Sequence, residues 1–60
     1  MIPTGKTLLA ARAHQATGDT QLCLEEGELV DVLKEINEHW IEIKKNSGDT
    51  GLVLKLCFDL

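Results

Sequence analysis

Apolar residues recur along this chain at every second position, the period of strands rather than helices. Thr7 to His14 is compatible with a strand that puts Leu8 and Ala10 on one face. Arg12 and His14, two apart in the run AARAH, share a face and load it with polar groups. Gln21 to Leu24 alternates next, with Leu22 and Leu24 together and Cys23 opposite, until Glu25, Glu26 and Gly27 break the pattern. From Glu28 to Lys34, Val30 and Val32 fall on one face and Leu29 and Leu33 on the other. That predicts a strand covered on both sides over part of its length.

A polar turn follows from Glu35 to His39. Trp40 to Lys45 then has Ile41 and Ile43 on one face and Trp40, Glu42 and Lys44 on the other, the half-buried pattern, so Trp40 is expected exposed or half-exposed. Asn46 to Asp49, NSGD, is a turn, because Gly and Asn accept positive φ and Ser or Asp can bond the local backbone. Thr50 to Leu54 resumes as a strand. Five or so short strands at this spacing predict a small all-β barrel or sandwich. The run EEGELVDVLKEI also offers Leu29, Val32, Leu33 and Ile36 at helical spacing; Gly27 weakens that alternative, and Val30 falls outside the stripe.

Composition narrows the function. Sixty residues form one domain at most, and a chain that short buries only about 60% of the surface its unfolded form exposes. A large active-site cleft does not fit. A hydrophobic content of 43% with 27% charged residues suits a folded domain rather than a disordered segment. The net charge of −4 works against binding a phosphate backbone, so nucleic acid is not an expected partner. Apolar runs such as Leu52 to Leu54 are far shorter than the ~20 residues of a membrane-spanning helix, and Met1 to Thr7 lacks the apolar stretch of a signal peptide. A cytoplasmic chain without membrane insertion is expected, with Cys23 and Cys57 as reduced thiols.

The order of parts, AARAHQATGDTQLCLEEGELVDVL, then EHWIEI, then a hairpin, then GDTGLVLKLCF, resembles the Src homology 3 domain over nearly the whole chain. Ala10 takes the place of the alanine in the family's ALYDY strand. Leu22 and Leu24 take the hydrophobic positions of its ELSF strand, and Glu26, Gly27 and Glu28 its acidic turn. Trp40 stands where the family's first tryptophan stands, Gly51 where the glycine of the last strand pair stands, and Val53 and Phe58 at core positions. The resemblance implies a tail over 1–6 and a domain over 7–60. It also implies a barrel of five strands in two orthogonally packed sheets, with a short 3-10 turn near Lys55 to Cys57. The expected core is Leu8, Ala10, Leu22, Leu24, Leu29, Val32, Ile43, Val53 and Phe58.

In that family a shallow groove of aromatic side chains holds a left-handed polyproline helix. Here the two tyrosines of ALYDY correspond to Arg12 and His14, the groove proline to Leu54 and the final tyrosine to Cys57. Of the aromatic shelf only Trp40 remains. Family members also use carboxylates to fix a basic residue of the peptide; Asp19 and Glu38 are the candidates here. The resemblance therefore implies a non-catalytic interaction module of a larger signalling, scaffold or cytoskeletal protein. Its partner would be a proline-containing or atypical peptide, bound through Trp40, Leu54, Cys57, Arg12, His14, Asp19 and Glu38. In the alternative the altered groove packs against another domain of its own chain, or a second copy.

The remaining chemistry is thin. Arg12 and His14 are either solvated residues on an outer face or a cationic wall that replaces an apolar one, unless Arg12 pairs with a carboxylate of the chain. His14 and Cys57 lie close together in the family's geometry. Two groups on a shallow surface supply neither the orienting group and oxyanion site of a thiol enzyme nor the three or four ligands of a zinc site, so no enzyme, metal or cofactor is expected. The GKT at Gly5 to Thr7 lacks the earlier glycine and following helix of a phosphate loop, and the EEGE run reads as a solvated turn.

Overall fold

A computed structural model describes residues 5–59. Its strands are β1 (Thr7–Leu9), β2 (Leu29–Glu35), β3 (Trp40–Lys44) and β4 (Thr50–Leu54), followed by one 3-10 turn at Lys55–Cys57. They form an antiparallel meander in the order β1-β2-β3-β4. Glu25 to Ile36 is thus strand and turn, not helix. β-branched Val30, Val32, Ile41, Ile43 and Val53 all point to one face, where period two buries them together.

The expected fifth strand at Gln21 to Leu24 makes single bridges instead of a ladder. Leu24 bridges His14, and Gln21 bridges Leu52 in parallel. The Leu52 amide donates to the Thr20 carbonyl at 2.8 Å and the Leu22 amide to the Leu52 carbonyl at 3.1 Å, so this segment covers the outer edge of β4. Leu24 is buried and Leu22 packs partly against the core. The expected all-β fold with its 3-10 turn is present, and the bridging of Gln21 to Leu24 in place of a fifth laddered strand is a minor difference.

The core comprises Ala10, Leu24, Val30, Val32, Ile41, Ile43, Val53, Cys57 and Phe58, with Leu8, Leu22 and Leu54 packed against it. Leu29, expected inside, is 52% exposed. It pairs across the ladder with Leu9, itself exposed, on the outer face of the sheet. The register of β2 against β3 shifts between Val32 and Lys34, and Leu33 at that bulge is also exposed. β2 is accordingly covered on its Val30 and Val32 face only.

Two turns set the strand ends. Gly27 has φ +87°, and its amide donates to the Ala10 carbonyl at 2.8 Å, tying the acidic turn to the residues after β1. At the β3–β4 turn the Gly48 amide donates to the Lys45 carbonyl and the Lys45 amide to the Asp49 carbonyl, both at 2.9 Å. Of the expected tail over 1–6, residues 1–4 lie outside the described residues, as does Leu60. The Gly5 amide donates to the Val32 carbonyl, and the Lys6 carbonyl accepts from the Val32 amide.

Gly51 sits opposite Ile43 where β4 meets the bridging segment. A Cβ there would lie 2.7 Å from Leu22 Cγ and 3.1 Å from the Thr20 carbonyl oxygen. The carbonyl is fixed by its bond from the Leu52 amide, so the added methyl cannot be absorbed by side-chain motion alone. Gly51→Ala is expected to cost about 1–3 kcal/mol, read as a lower urea midpoint at unchanged slope. An unchanged midpoint would mean the bridging segment does not press on β4.

Candidate functional site

The chain leaves β1 at Leu9 and turns. The Ala11 and Arg12 amides both donate to the Cys57 carbonyl, at 2.7 and 3.1 Å, which pins this segment to the 3-10 turn. The His14 amide and carbonyl then exchange bonds with Leu24 at 2.8 and 2.9 Å. Alternation is lost between Leu9 and His14, and Arg12 and His14 differ in burial. Arg12 is exposed, whereas His14 is buried at 7% exposure, which corrects the reading of both as solvated outer-face residues.

Trp40 is set by the β2–β3 turn. Asn37 Oδ1 accepts from the His39 amide at 2.8 Å and the Trp40 amide at 3.0 Å, an Asx arrangement that fixes where β3 begins. With Ile41 and Ile43 buried, Trp40 takes the opposite face and is half-buried, as its place in the alternation predicts. It pairs with Leu54 across the β3–β4 ladder. Its ring meets the His14 imidazole edge to face, with centroids 5.8 Å apart and planes at 81°. The Lys55 amide donates to the His39 carbonyl at 2.9 Å and docks the 3-10 turn beside this pair.

These elements enclose an open groove of about 460 Å³. Five of the seven expected site residues line it: Arg12, His14, Trp40, Leu54 and Cys57. Asp19 and Glu38 do not. Asp19 is exposed in the turn before Gln21, and the Glu38 carboxylate lies 3.4 Å from His39 Nε2. The groove also takes in Gln15, Thr17, Gln21 and Leu56, which the sequence reading did not select. Thr17 donates to Gln21 Oε1 from its amide at 3.0 Å and its hydroxyl at 3.2 Å, bracing one end. Leu56 is 76% exposed.

The groove is less cationic than its sequence suggests. Arg12 donates to the Leu56 carbonyl at 2.6 Å and to the Asp59 carboxylate at 3.3 Å, so its charge is shared with a carboxylate of the chain. Both partners are well exposed, and such a pair is worth about 0–1 kcal/mol. His14 Nδ1 lies 2.9 Å from the Leu22 carbonyl oxygen. On the neighbouring flank Lys55 pairs with Glu35. Among the described residues there is no cluster of three or more His, Cys, Asp or Glu able to hold a metal ion, and no helix is long and apolar enough to cross a membrane.

Cys57 is buried and unpaired with Cys23, which is exposed. Burial pushes the Cys57 thiol up, and the Arg12 charge opposes this only in part. A thiol held protonated is a poor nucleophile, so iodoacetamide is expected to label Cys23 before Cys57, resolved by mass spectrometry of peptides. The linkage has a definite sign. The folded pKa exceeds the unfolded one, so stability is constant below the ordinary thiol range of about 8.5 and falls as pH rises through it. Labelling of Cys57 first would contradict both statements.

The model of the variant SH3 domain family matches residues 10–53, spanning the groove-forming segment, the acidic turn, β2, β3 and most of β4. Among solved structures the chain is similar to CED-2, with a TM-score of 0.85 and 27% identity, over 92% of this chain and 32% of that one. The SH3 domain of yeast NBP2 matches with a TM-score of 0.85 and 27% identity, over 92% and 95% of the two chains. The C-terminal SH3 domain of myosin IB from Entamoeba histolytica matches with a TM-score of 0.79 over 88% and 86%; at 21% identity it speaks to the fold alone. No curated protein matches.

Proposed function

Because the chain belongs to the SH3 family of non-catalytic protein-interaction modules, we propose that it binds an extended, proline-containing or atypical peptide along the groove between Trp40, Leu54 and Leu56. The observation that carries this reading is Trp40: a large rigid ring, half-buried at the rim of an open groove and held by its neighbours before any ligand arrives. Such a ring gives contact area at little conformational cost. We read the module as part of a larger cytoplasmic signalling, scaffold or cytoskeletal protein; the 32% of the CED-2 chain that the match occupies supports the larger protein alone.

The aromatic walls are reduced, so affinity is modest. Trp40 is the single tryptophan, and its fluorescence reports on the site directly. Titration with a proline-rich peptide is expected to give a saturable change with Kd on the order of micromolar to hundreds of micromolar, with amide shifts confined to the groove. No saturable change at millimolar peptide overturns the reading. A second reading, in which the groove packs against another domain of its chain or a second copy, is favoured by the exposure of Leu56 at the groove's edge. Its mark would be concentration-dependent sedimentation that Leu56→Ser abolishes.

A further inference from the structure

His14 sits under the groove with one nitrogen committed. Its Nδ1 lies 2.9 Å from the Leu22 carbonyl oxygen, which has no proton to give, so Nδ1 must carry the proton and donate. A neutral imidazole has only one, which leaves Nε2 with a lone pair. No partner within the described residues reaches Nε2, and no side-chain nitrogen or oxygen is both shut off from solvent and unbonded. Among the described residues Nε2 is therefore unbonded and not sealed from solvent, on a ring that is 7% exposed and lines the groove.

From this we infer that the groove selects a peptide whose residue over His14 carries a neutral N–H or O–H, and that it rejects proline at that one register. The inference rests on the peptide-binding reading above. Water satisfies Nε2 in the empty groove, and a ligand that covers it must replace that bond or leave an acceptor unpaired. Proline has no amide proton to offer and would cover the site without bonding it. A cationic donor gains no partner there, because no carboxylate among the described residues lines the groove. Arg12 does not supply the missing polar contact: its guanidinium is directed at the Leu56 carbonyl and the Asp59 carboxylate and makes no bond to His14.

The test is a scan of a proline-rich host peptide in which each position in turn is alanine, serine, N-methylalanine or proline. N-methylalanine carries a methyl group in place of alanine's amide proton, and the His14→Phe comparison separates loss of the proton from the added bulk. At one register, alanine and serine are expected to bind about tenfold more tightly than proline and N-methylalanine, and the His14 Nε2 nitrogen resonance is expected to move on binding. In His14→Phe, which keeps a ring beside Trp40, that preference disappears. Equal binding of all four peptides at every register overturns the inference and leaves peptide binding intact. A nitrogen spectrum of the unbound protein with the His14 proton on Nε2 overturns it as well. Absence of binding by every peptide overturns the groove reading, and this inference with it.

Discussion

Ile43→Ala is expected to remove about 2–5 kcal/mol of stability, while Leu29→Ala removes no more than about 1 kcal/mol. Both residues sit in strands and both are long aliphatics, so composition does not separate them. Ile43 is wholly buried in β3, flanked by Val32 on β2 and Gly51 on β4. Truncating it loses transfer free energy and leaves a cavity bounded by strands on both sides, which cannot close without moving the sheet. Leu29 faces outward against Leu9 and loses only that cross-strand contact. A chain of 60 residues holds about 3–9 kcal/mol in total at the usual value per residue, so Ile43→Ala leaves a barely folded protein. Urea unfolding followed by Trp40 fluorescence measures both. Equal losses at the two positions would mean that both faces of β2 are covered.

That contrast shows why the sequence was legible in some places and silent in others. β3 and β4 alternate cleanly, and one face of each carries enough apolar bulk to name the buried side. β2 is apolar on both faces through Val30 and Val32 against Leu29 and Leu33. Period alone cannot say whether a second layer exists to cover the other face, and here none of the described residues does. His14 failed for a different reason. The rule of two placed it beside Arg12, but the strand ends at Leu9 and the next residues follow bonds to the Cys57 carbonyl, a contact far away in sequence. Nothing local announces that partner.

The groove was legible through family resemblance rather than periodicity. Residue-by-residue correspondence brought together Arg12, His14, Trp40, Leu54 and Cys57, all of which line the groove. It also named Asp19 and Glu38, which do not line the groove; they sit in turns where side-chain direction depends on local geometry. Correspondence also says nothing about hydrogen bonds. Arg12 and His14 suggested a cationic wall, and only the carbonyls of Leu56 and Leu22 show that each is already occupied on one side.

Trp40→Ala is expected to weaken binding of a proline-rich peptide by about 30-fold or more, the effect of losing an interface residue worth at least about 2 kcal/mol. The ring lies between Leu54 on the neighbouring strand and the His14 imidazole, so its removal widens the groove and uncovers the histidine together. The fold is expected to survive, because Trp40 points away from Ile41 and Ile43 and its backbone position is set by Asn37 rather than by the ring. An amide spectrum that stays dispersed checks this, and Trp40→Phe, which restores part of the aromatic surface, is expected to recover part of the affinity. Asp19→Asn and Glu38→Gln provide the contrast, since neither residue lines the groove. They are expected to change affinity less than about threefold, mainly through the association rate and less so at higher salt. Calorimetry on the four variants separates the cases. Losses as large at Asp19 or Glu38 as at Trp40 would place the peptide across the acidic loops instead. The comparison turns on shape against charge: a rigid ring at the rim of an apolar groove holds its partner through displaced water, and solvated carboxylates act only at a distance that salt screens.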